Sequence, residues 1–374
     1  MVESGLFITL YDKETLNLYL NKGIYGFHQK PLEGRPSSRS RHYHALADYS
    51  CAREGTHVFF FLKRMIGYGG QIIGNNKYGS FYLNGPYSPM GKKADAEIYW
   101  DESTRKIYDS VDEPGKFIVP KIDKKTIKCQ PYLVRFKDNL NLKGKWISSD
   151  QLYFKLGEYP YPLPSNSIQN MGFCILSPGE TKIALSLLKK DPMGVFSGKS
   201  NEQVSLSNNP IPFDPKFDID NLSKAIINSY FINEAHMESS ILANPTLLPD
   251  ELQPGKNDAL IRQIPISPFK PSHMDRADIC YFSEDKIANG TIPNTIIELK
   301  NKKAGKQQVE QVKKYFKWLY KLNEVYNVKT DEIKIYLLAP DFTDKVSKYI
   351  PDELSEKIVL MKFNDKQKKF DEYC

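Results

Sequence analysis

Asp278, Glu298 and Lys300, in the last third of the chain, have the side chains that phosphodiester hydrolysis requires. Carboxylates hold a hard divalent cation, which polarises a phosphate and lowers the pKa of an attacking water. A nearby ammonium group stabilises the negative charge that develops. Glu298 and Lys300 alternate on a predicted strand, so both side chains should project from one face. We therefore predict an oxygen site for Mg²⁺, with Mn²⁺ as a substitute, formed by Asp278, Glu298 and the backbone carbonyl of Leu299.

The setting of the Glu298–Lys300 pair makes it more informative than an isolated pair of charges. The pair ends an apolar run that begins at Thr295, where a solvated strand face would be less expected. A lysine-rich loop follows, and then a predicted helix that carries Gln311 and Tyr315 one turn apart on the same face. This arrangement favours a functional site over a surface ion pair.

The order of these residues resembles the PD-(D/E)xK nucleases, and among them the branch with NucS-type DNA endonucleases and RecB-like nuclease domains. The resemblance implies that Asp278 and Glu298 bind the metal ion and that Lys300 positions or activates the water. The residues that carry it are Glu234, Met237, Glu238, Ile241, Asn244, Pro245, Leu247, Leu248, Arg262, Asp278, Glu298, Leu299, Lys300, Gln311 and Tyr315.

The same resemblance assigns supporting roles and shows one departure. It implies that Glu238, on a first helix, supports the site, and that Gln311 and Tyr315 orient the site or the nucleic acid. A proline-rich insertion, Ser267–Ser272, stands where a tight hairpin is usual. The strand register is therefore open at this point, and Asp275 is an alternative to Asp278.

The elements that must position these side chains alternate between helical and strand-like patterns, which predicts an α/β domain with a mixed sheet flanked by helices. One helix is predicted to begin near Asp220 and to end at Asn244–Pro245, and a second to run from Gln307 to about Tyr326. Further elements are predicted as strands at Ile261–Ile266, Ala277–Phe282, Thr295–Ile297, Ile333–Leu338 and Lys357–Phe363, with a short helix near Thr343 to Tyr349.

The chain of 374 residues is long enough for two domains. Residues 1–196 are predicted as a β-rich α+β domain, because β-favouring runs recur there between Gly, Pro and Asn. Residues 197–218 are polar and contain several prolines, so they are predicted as a linker. Residues 219–374 then form the predicted nuclease domain.

Two runs in the N-terminal region, His57–Lys63 and Ile66–Gly74, resemble the central strands of PUA-superfamily barrels, including the EVE and YTH types. The resemblance implies a PUA-like barrel as a candidate fold and an aromatic pocket that reads a base, in some cases a flipped one. Tyr68, Trp100 and Trp146 are the candidate aromatics. The alternative for each is an ordinary core or barrel-wall position.

Charge suggests where a polyanion would bind. The formal net charge is +7, which favours but does not require a nucleic-acid partner. Lys302, Lys303 and Lys306 follow the predicted site, and Arg39 and Arg41 lie in a second basic segment. We predict that these five side chains contact phosphates.

Taken together, these patterns predict a Mg²⁺-dependent DNA endonuclease whose N-terminal domain recognises a sequence or a modified base, as in restriction or phage defence. One alternative is a NucS-like repair endonuclease acting on mismatched, branched or single-stranded DNA. Another is a non-catalytic nucleic-acid-binding protein. RNA stays open as a substrate, and a homodimer on DNA is a hypothesis based on the need to cut two strands.

The remaining features of the sequence suggest a cytoplasmic protein without a membrane segment. The 5 cysteines form no CxxC pair, which argues against a disulfide framework or a zinc knuckle. The first residues lack the pattern of a signal peptide, and no long apolar run follows.

Overall fold

The computed structural model describes residues 2–10, 12–26, 36–73, 82–83, 99–101, 106–108, 132–137, 142–156, 173–195, 233–266, 275–283, 292–326 and 333–373. The predicted linker at 197–218 and the predicted start of the helix near Asp220 lie outside these ranges. The domain boundary therefore stays a prediction.

A large sheet forms the N-terminal part of the molecule. Its central strands are β1 (Gly5–Thr9), β3 (His57–Leu62) and β4 (Met65–Ile72), and β2 (Ile24–Tyr25) lies at one end of the strand order. β1 and β3 are parallel, whereas β3 and β4 are antiparallel. The remaining strands of this region are β5 (Tyr82–Leu83), β6 (Tyr99–Asp101), β7 (Lys106–Tyr108), β8 (Tyr132–Lys137), β9 (Lys145–Ser148), β10 (Phe173–Leu176) and β11 (Gly194–Val195).

The strand order of this sheet is β10-β1-β3-β4-β8-β2, with β5, β9 and β11 attached to its side, while β6 and β7 pair separately. Within the described ranges this order is an open path and does not return on itself. The predicted PUA-like barrel is therefore not shown, although the prediction of a β-rich region with helices agrees with the structure.

Helices cover this sheet and have clear sequence signals at their ends. α1 (Lys13–Lys22) begins at Asp12, whose carboxylate accepts from the N–H of Thr15, and ends at Gly23 with a φ of 60°. The other helices are α2 (Pro36–Cys51), α3 (Ser149–Leu156) and α4 (Pro178–Lys190). They leave Tyr49, Phe59 and Phe60 fully buried in the core.

The C-terminal sheet contains six strands in the order β12-β13-β14-β15-β16-β17. Their pairing is antiparallel at both ends and parallel between β14, β15 and β16, so the sheet is mixed, as predicted. The strands are β12 (Ala259–Pro265), β13 (Arg276–Phe282), β14 (Thr295–Leu299), β15 (Lys334–Ala339), β16 (Ile358–Asn364) and β17 (Lys369–Glu372).

Two helices lie on opposite faces of this sheet. α5 (Glu234–Ala243) packs with Ile297 and Leu299, whereas α6 (Lys306–Tyr326) packs with Ile296. α6 connects the parallel strands β14 and β15, as a parallel pair requires. Its bounds agree closely with the prediction, and the predicted short helix is the 3₁₀ turn Val346–Tyr349.

The N-terminal helix α2 packs directly against α5. Ala47 and Cys51 of α2 share a buried apolar cluster with Met237 and Ile241 of α5. This contact brings the polar face of α2 to the end of the C-terminal sheet. No helix among the described residues has the length and apolar character needed to cross a membrane.

Candidate active site

Asp278 and Glu298 occupy facing positions on neighbouring strands. In the antiparallel register of β13 and β14, Ile279 pairs with Ile297. Continuing this register by one residue brings Asp278 opposite Glu298, and facing residues project from the same side of a sheet. That side is the one covered by α6, because Ile296 packs there. The register therefore places the two carboxylates on the same face of neighbouring strands.

Both oxygens of Asp278 accept hydrogen bonds. The backbone N–H of Leu299 donates to Oδ2 at 2.7 Å, and Nε2 of Gln263 donates to Oδ1 at 3.0 Å. Asp275, the alternative, precedes β13, and its backbone carbonyl accepts from the N–H of Ile266 at 2.9 Å. Asp278 is thus the aspartate that the structure brings beside Glu298.

Glu298 is buried and receives two donors on one oxygen. Nζ of Lys300 lies 2.7 Å from Oε1, and Nε2 of Gln311 donates to the same atom at 2.9 Å. The second oxygen, Oε2, is buried and has no hydrogen-bond partner among the described residues. Lys300 also lies 3.8 Å from Glu234, at the start of α5. One oxygen of Glu298 is therefore held while the other is left without a donor.

Gln311 and Tyr315 extend the site along α6. Nε2 of Gln311 donates to the hydroxyl of Tyr315 at 2.6 Å as well as to Glu298. The hydroxyl of Tyr315 in turn donates to the backbone carbonyl of Arg276 at 3.2 Å. Gln311 and Tyr315, one helical turn apart, thus form a continuous chain of hydrogen bonds from α6 to β13 and β14.

Glu238 supports the site through a buried guanidinium group. Nε and Nη2 of Arg262 donate to the two carboxylate oxygens of Glu238 in a bidentate pair. Nη1 of Arg262 donates to Asp48 of α2 at 2.8 Å, and Nη2 lies 2.8 Å from Nδ1 of His44. Gln263 links this group to Asp278, because its Nε2 also donates to Glu238 at 3.2 Å.

Burial and crowding of charge govern the proton affinities of this region. Burial raises the pKa of Asp278 well above its ordinary value, and the carboxylates of Glu298 and Glu238 raise it further. Burial likewise raises the pKa of Glu298 to about 7, although Lys300 opposes the shift. Burial would lower the pKa of Lys300, but Glu298 outweighs it and raises that pKa.

Burial and neighbouring charges also shift the pKa values of the supporting groups. Burial raises the pKa of Asp48 to about 6, against the opposing effect of Arg262. Burial lowers the pKa of His44, and the Arg262 charge lowers it further. Burial would lower the pKa of Arg262, but Asp48 and Glu238 raise it well above its ordinary value, so Arg262 carries a permanent charge.

The predicted metal set consists of two carboxylates and one main-chain carbonyl. Among the described residues, no group of three or more His, Cys, Asp or Glu side chains is arranged to hold a metal ion. Leu299, the predicted source of the carbonyl, is the last residue of β14, and its N–H is engaged by Asp278. The metal site therefore stays a prediction, and the two facing carboxylates are its observed part.

The predicted phosphate-contacting lysines lie on the surface, shortly after Lys300 in the chain. Lys302, Lys303 and Lys306 are exposed. Nζ of Lys303 is 3.3 Å from Oδ2 of Asp341, and Nζ of Lys306 lies 5.5 Å from the ring centre of Tyr349. Arg39 and Arg41 lie on α2, and their side chains are outside the described part of the chain.

The aromatic candidates for base recognition have different placements. Tyr68 is fully buried, with its hydroxyl 3.0 Å from Nδ1 of His57, so the prediction that it contacts a base is corrected. Its ring packs in the apolar core with Phe7, Phe59 and Leu176. Trp146 is half-buried and packs closely over Gly194. Trp100 lies on β6, and its side chain is outside the described residues.

Several residues of the site were not identified as functional from the sequence. Gln263 has no charge and no motif of its own, although it follows Arg262, which belongs to the motif series. Asp48 and His44 lie in a distant helix, and only their contact with Arg262 connects them to the site. No local sequence pattern could have found these two residues.

Comparison with known proteins adds little to this geometry. No family model matches the chain, and no curated protein does. The crystal structure of a repair endonuclease from Pyrococcus abyssi shares 25% sequence identity with this chain over 37% of it and 49% of that chain, with a TM-score of 0.25. The matched part spans about half of that endonuclease. Agreement at this level carries no argument about function, so the α/β fold and the site must support any proposal.

Proposed function

We propose that this protein is a metal-dependent endonuclease that hydrolyses phosphodiester bonds in DNA. The observation that carries the proposal is the convergence of Asp278 and Glu298 from facing strands, with Nζ of Lys300 2.7 Å from the Glu298 carboxylate. The motif series that resembles PD-(D/E)xK nucleases supports the same assignment and favours DNA as the substrate.

The donor set suits a hard divalent cation such as Mg²⁺. Asp278 and Glu298 are buried carboxyl groups with raised pKa values, so both bind protons tightly. A divalent cation could take the place of these protons and balance the negative charge of the two carboxylates. Oε2 of Glu298 is a buried acceptor without a hydrogen-bond donor in the described structure. Asp278, Glu298 and the carbonyl of Leu299 would hold the cation, which supplies polarisation of the phosphate and an acidified water.

The other residues of the site have separate tasks. Lys300 places a positive charge beside Glu298, where it can stabilise negative charge on a phosphate and orient a water molecule. Gln311 fixes Oε1 of Glu298 and leaves Oε2 available. The Arg262–Glu238 pair supports Asp278 through Gln263, whose side chain donates to both Glu238 and Asp278.

A role in recognition is assigned to the N-terminal region as part of this proposal. The exposed Lys302, Lys303 and Lys306 would contact phosphates next to the cleaved bond, and a reader of sequence or modified bases would lie in residues 1–196. Restriction or phage defence is the biological setting that suits a protein with a DNA-recognition region and a nuclease domain. The basis for this finer step is the composition and patterning of the sequence.

The proposal is tested by incubating the full-length protein with supercoiled plasmid, mismatched duplex, branched, single-stranded and phage-modified DNA, and with RNA. Cleavage should require Mg²⁺ or Mn²⁺ and stop on addition of EDTA. Asp278→Ala and Lys300→Ala should abolish it. Asp352→Ala and Lys369→Ala, two exposed residues of matching charge, should cleave like wild type.

Each outcome of this assay has a defined meaning. Cleavage by both Asp278→Ala and Lys300→Ala at the wild-type rate would overturn the assignment. Cleavage confined to mismatched, branched or single-stranded DNA would favour a NucS-like repair endonuclease over a restriction enzyme. Tight DNA binding by the wild type without cleavage of any substrate would identify a binding protein. Cleavage of RNA alone would correct the substrate class.

A further inference from the structure

Gln263 has an unusual backbone conformation for its place in the sheet. It lies inside β12 between Arg262, which pairs with Ile279, and Ile264, which pairs with Ala277. Its φ is 55°, in the left-handed region that side chains other than glycine rarely adopt. Strained positions of this kind persist only where surrounding contacts enforce them, and they often occur at functional sites.

Three contacts hold Gln263 in this conformation, and the register of β12 with β13 places it opposite Asp278. Its Nε2 donates to Oδ1 of Asp278 at 3.0 Å and to Oε1 of Glu238 at 3.2 Å. Its backbone carbonyl accepts from Nη1 of Arg276 at 3.2 Å. The left-handed turn thus aims one neutral amide between two carboxylates that would otherwise repel each other.

A glycine would adopt this backbone conformation without strain. The hydrogen bonds of the Gln263 side chain must therefore compensate for the strain in its backbone. Asp278 is held at Oδ2 by the main chain of β14 and at Oδ1 by Gln263 alone among the donors described. The two hydrogen bonds together define the plane of the carboxylate. Without Gln263, that plane could rotate about the contact with Leu299.

We propose that Gln263 is a positioning residue that sets the orientation of the Asp278 carboxylate for binding a divalent cation. The inference rests on the proposed function, because that function places a cation at Asp278 and Glu298. Partners that orient a metal-binding group typically change metal affinity by about 10-fold to 100-fold when they are removed. Gln263 acts through Asp278 and touches no substrate.

Two substitutions separate orientation of Asp278 from support of the fold. Gln263→Gly removes the amide and relieves the backbone strain, whereas Gln263→Met removes the amide but keeps the length of the side chain. Mn²⁺ affinity is measured by the loss of the free-ion signal in electron paramagnetic resonance, and Tm by thermal unfolding. The Mn²⁺ site whose affinity is compared is the one whose binding is lost in Asp278→Asn.

We expect Gln263→Gly to fold with a Tm near that of the wild type and Gln263→Met with a lower one, because methionine keeps the backbone strain without the two hydrogen bonds. Both should bind Mn²⁺ about 10-fold more weakly. Lys345→Gly is the matched control, because Lys345 is exposed and has a φ of 57° away from the site. It should relieve the same strain and leave Mn²⁺ affinity unchanged. If only one Gln263 variant folds, its affinity alone decides.

Failure of this inference can be distinguished from failure of the proposed function. Wild-type Mn²⁺ affinity in both folded Gln263 variants overturns the positioning role and leaves the nuclease proposal intact. Weaker Mn²⁺ binding in these variants, together with a wild type that cleaves no phosphodiester, supports the positioning role and overturns the proposed function. Absence of Mn²⁺ binding by the wild type overturns both.

Discussion

Oδ2 of Asp278 accepts a hydrogen bond of 2.7 Å from the backbone N–H of Leu299. The donor belongs to the main chain of β14, between the side chains of Glu298 and Lys300. Because the donor is main chain, substitution of neighbouring side chains leaves it in place. The contact connects the two strands of the site, β13 and β14, beside the side chains of Glu298 and Lys300.

Asp278→Asn should separate activity from stability. The asparagine carbonyl can still accept from the N–H of Leu299, but its NH₂ group cannot accept from Nε2 of Gln263. The substitution also removes a buried ionisable group whose pKa is raised by burial. Because these two effects oppose each other, we expect the free energy of unfolding to change little. Metal-dependent cleavage should fall by about 100-fold or more, because one charged ligand is lost. Urea unfolding and plasmid cleavage measure the two effects, and a loss of stability with full activity would contradict this account.

Arg262→Met should strongly destabilise the protein. The guanidinium is buried and pairs with Glu238 and Asp48, so its removal leaves two buried carboxylates without a counter-charge. Breaking a buried ion pair by removing one partner costs about 3–5 kcal/mol. Lys362→Met, which removes an exposed partner of Asp341, should change unfolding little. Equal urea midpoints for the two variants would show that the buried network is unimportant.

Tyr315→Phe tests the chain of hydrogen bonds on α6. The ring is fully buried, so phenylalanine keeps the packing and removes the hydroxyl between Gln311 and the carbonyl of Arg276. We expect a loss of about 1 kcal/mol in the free energy of unfolding. Cleavage should also fall, because Gln311 is then less firmly held against Glu298. Unchanged kcat together with lower stability would confine Tyr315 to a structural role.

His57 should make the protein sensitive to acid. Burial lowers the pKa of His57 to about 4 from 6.5, so the folded state binds a proton less readily than the unfolded state. The stability associated with the neutral imidazole is fully present above pH 6.5 and is lost as pH falls towards 4. This contribution amounts to up to about 3 kcal/mol.

The variant His57→Asn checks this pH dependence. Urea unfolding of variant and wild type between pH 4 and 6.5 should show a shallower loss of stability in the variant. The variant will itself be less stable at neutral pH, because His57 is within hydrogen-bond distance of Tyr68 and Gln71. Parallel curves for the two proteins would show that another group controls the acid response.

Periodicity in the sequence was sufficient to predict most of the C-terminal sheet and the pairing of certain side chains. The two-residue repeat of a strand placed Glu298 and Lys300 on one face, and the helical repeat placed Gln311 above Tyr315. These relationships are local, and the structure retains them. Tyr68 was named from the resemblance to PUA-type barrels, and that resemblance does not reveal that its side chain is fully buried.

The sequence by itself determined which side chains could act together within one strand or one helix, because local backbone geometry sets those spacings. Only the tertiary structure decided what meets across the chain. Strand register brought Asp278, not Asp275, opposite Glu298, and no local rule specifies the register of β13 with β14 across the chain that connects them. Packing of α2 on α5 brought Asp48 to Arg262 across 214 residues. Gln263 has a left-handed φ, and its amide is held by two carboxylates that only the fold brings together.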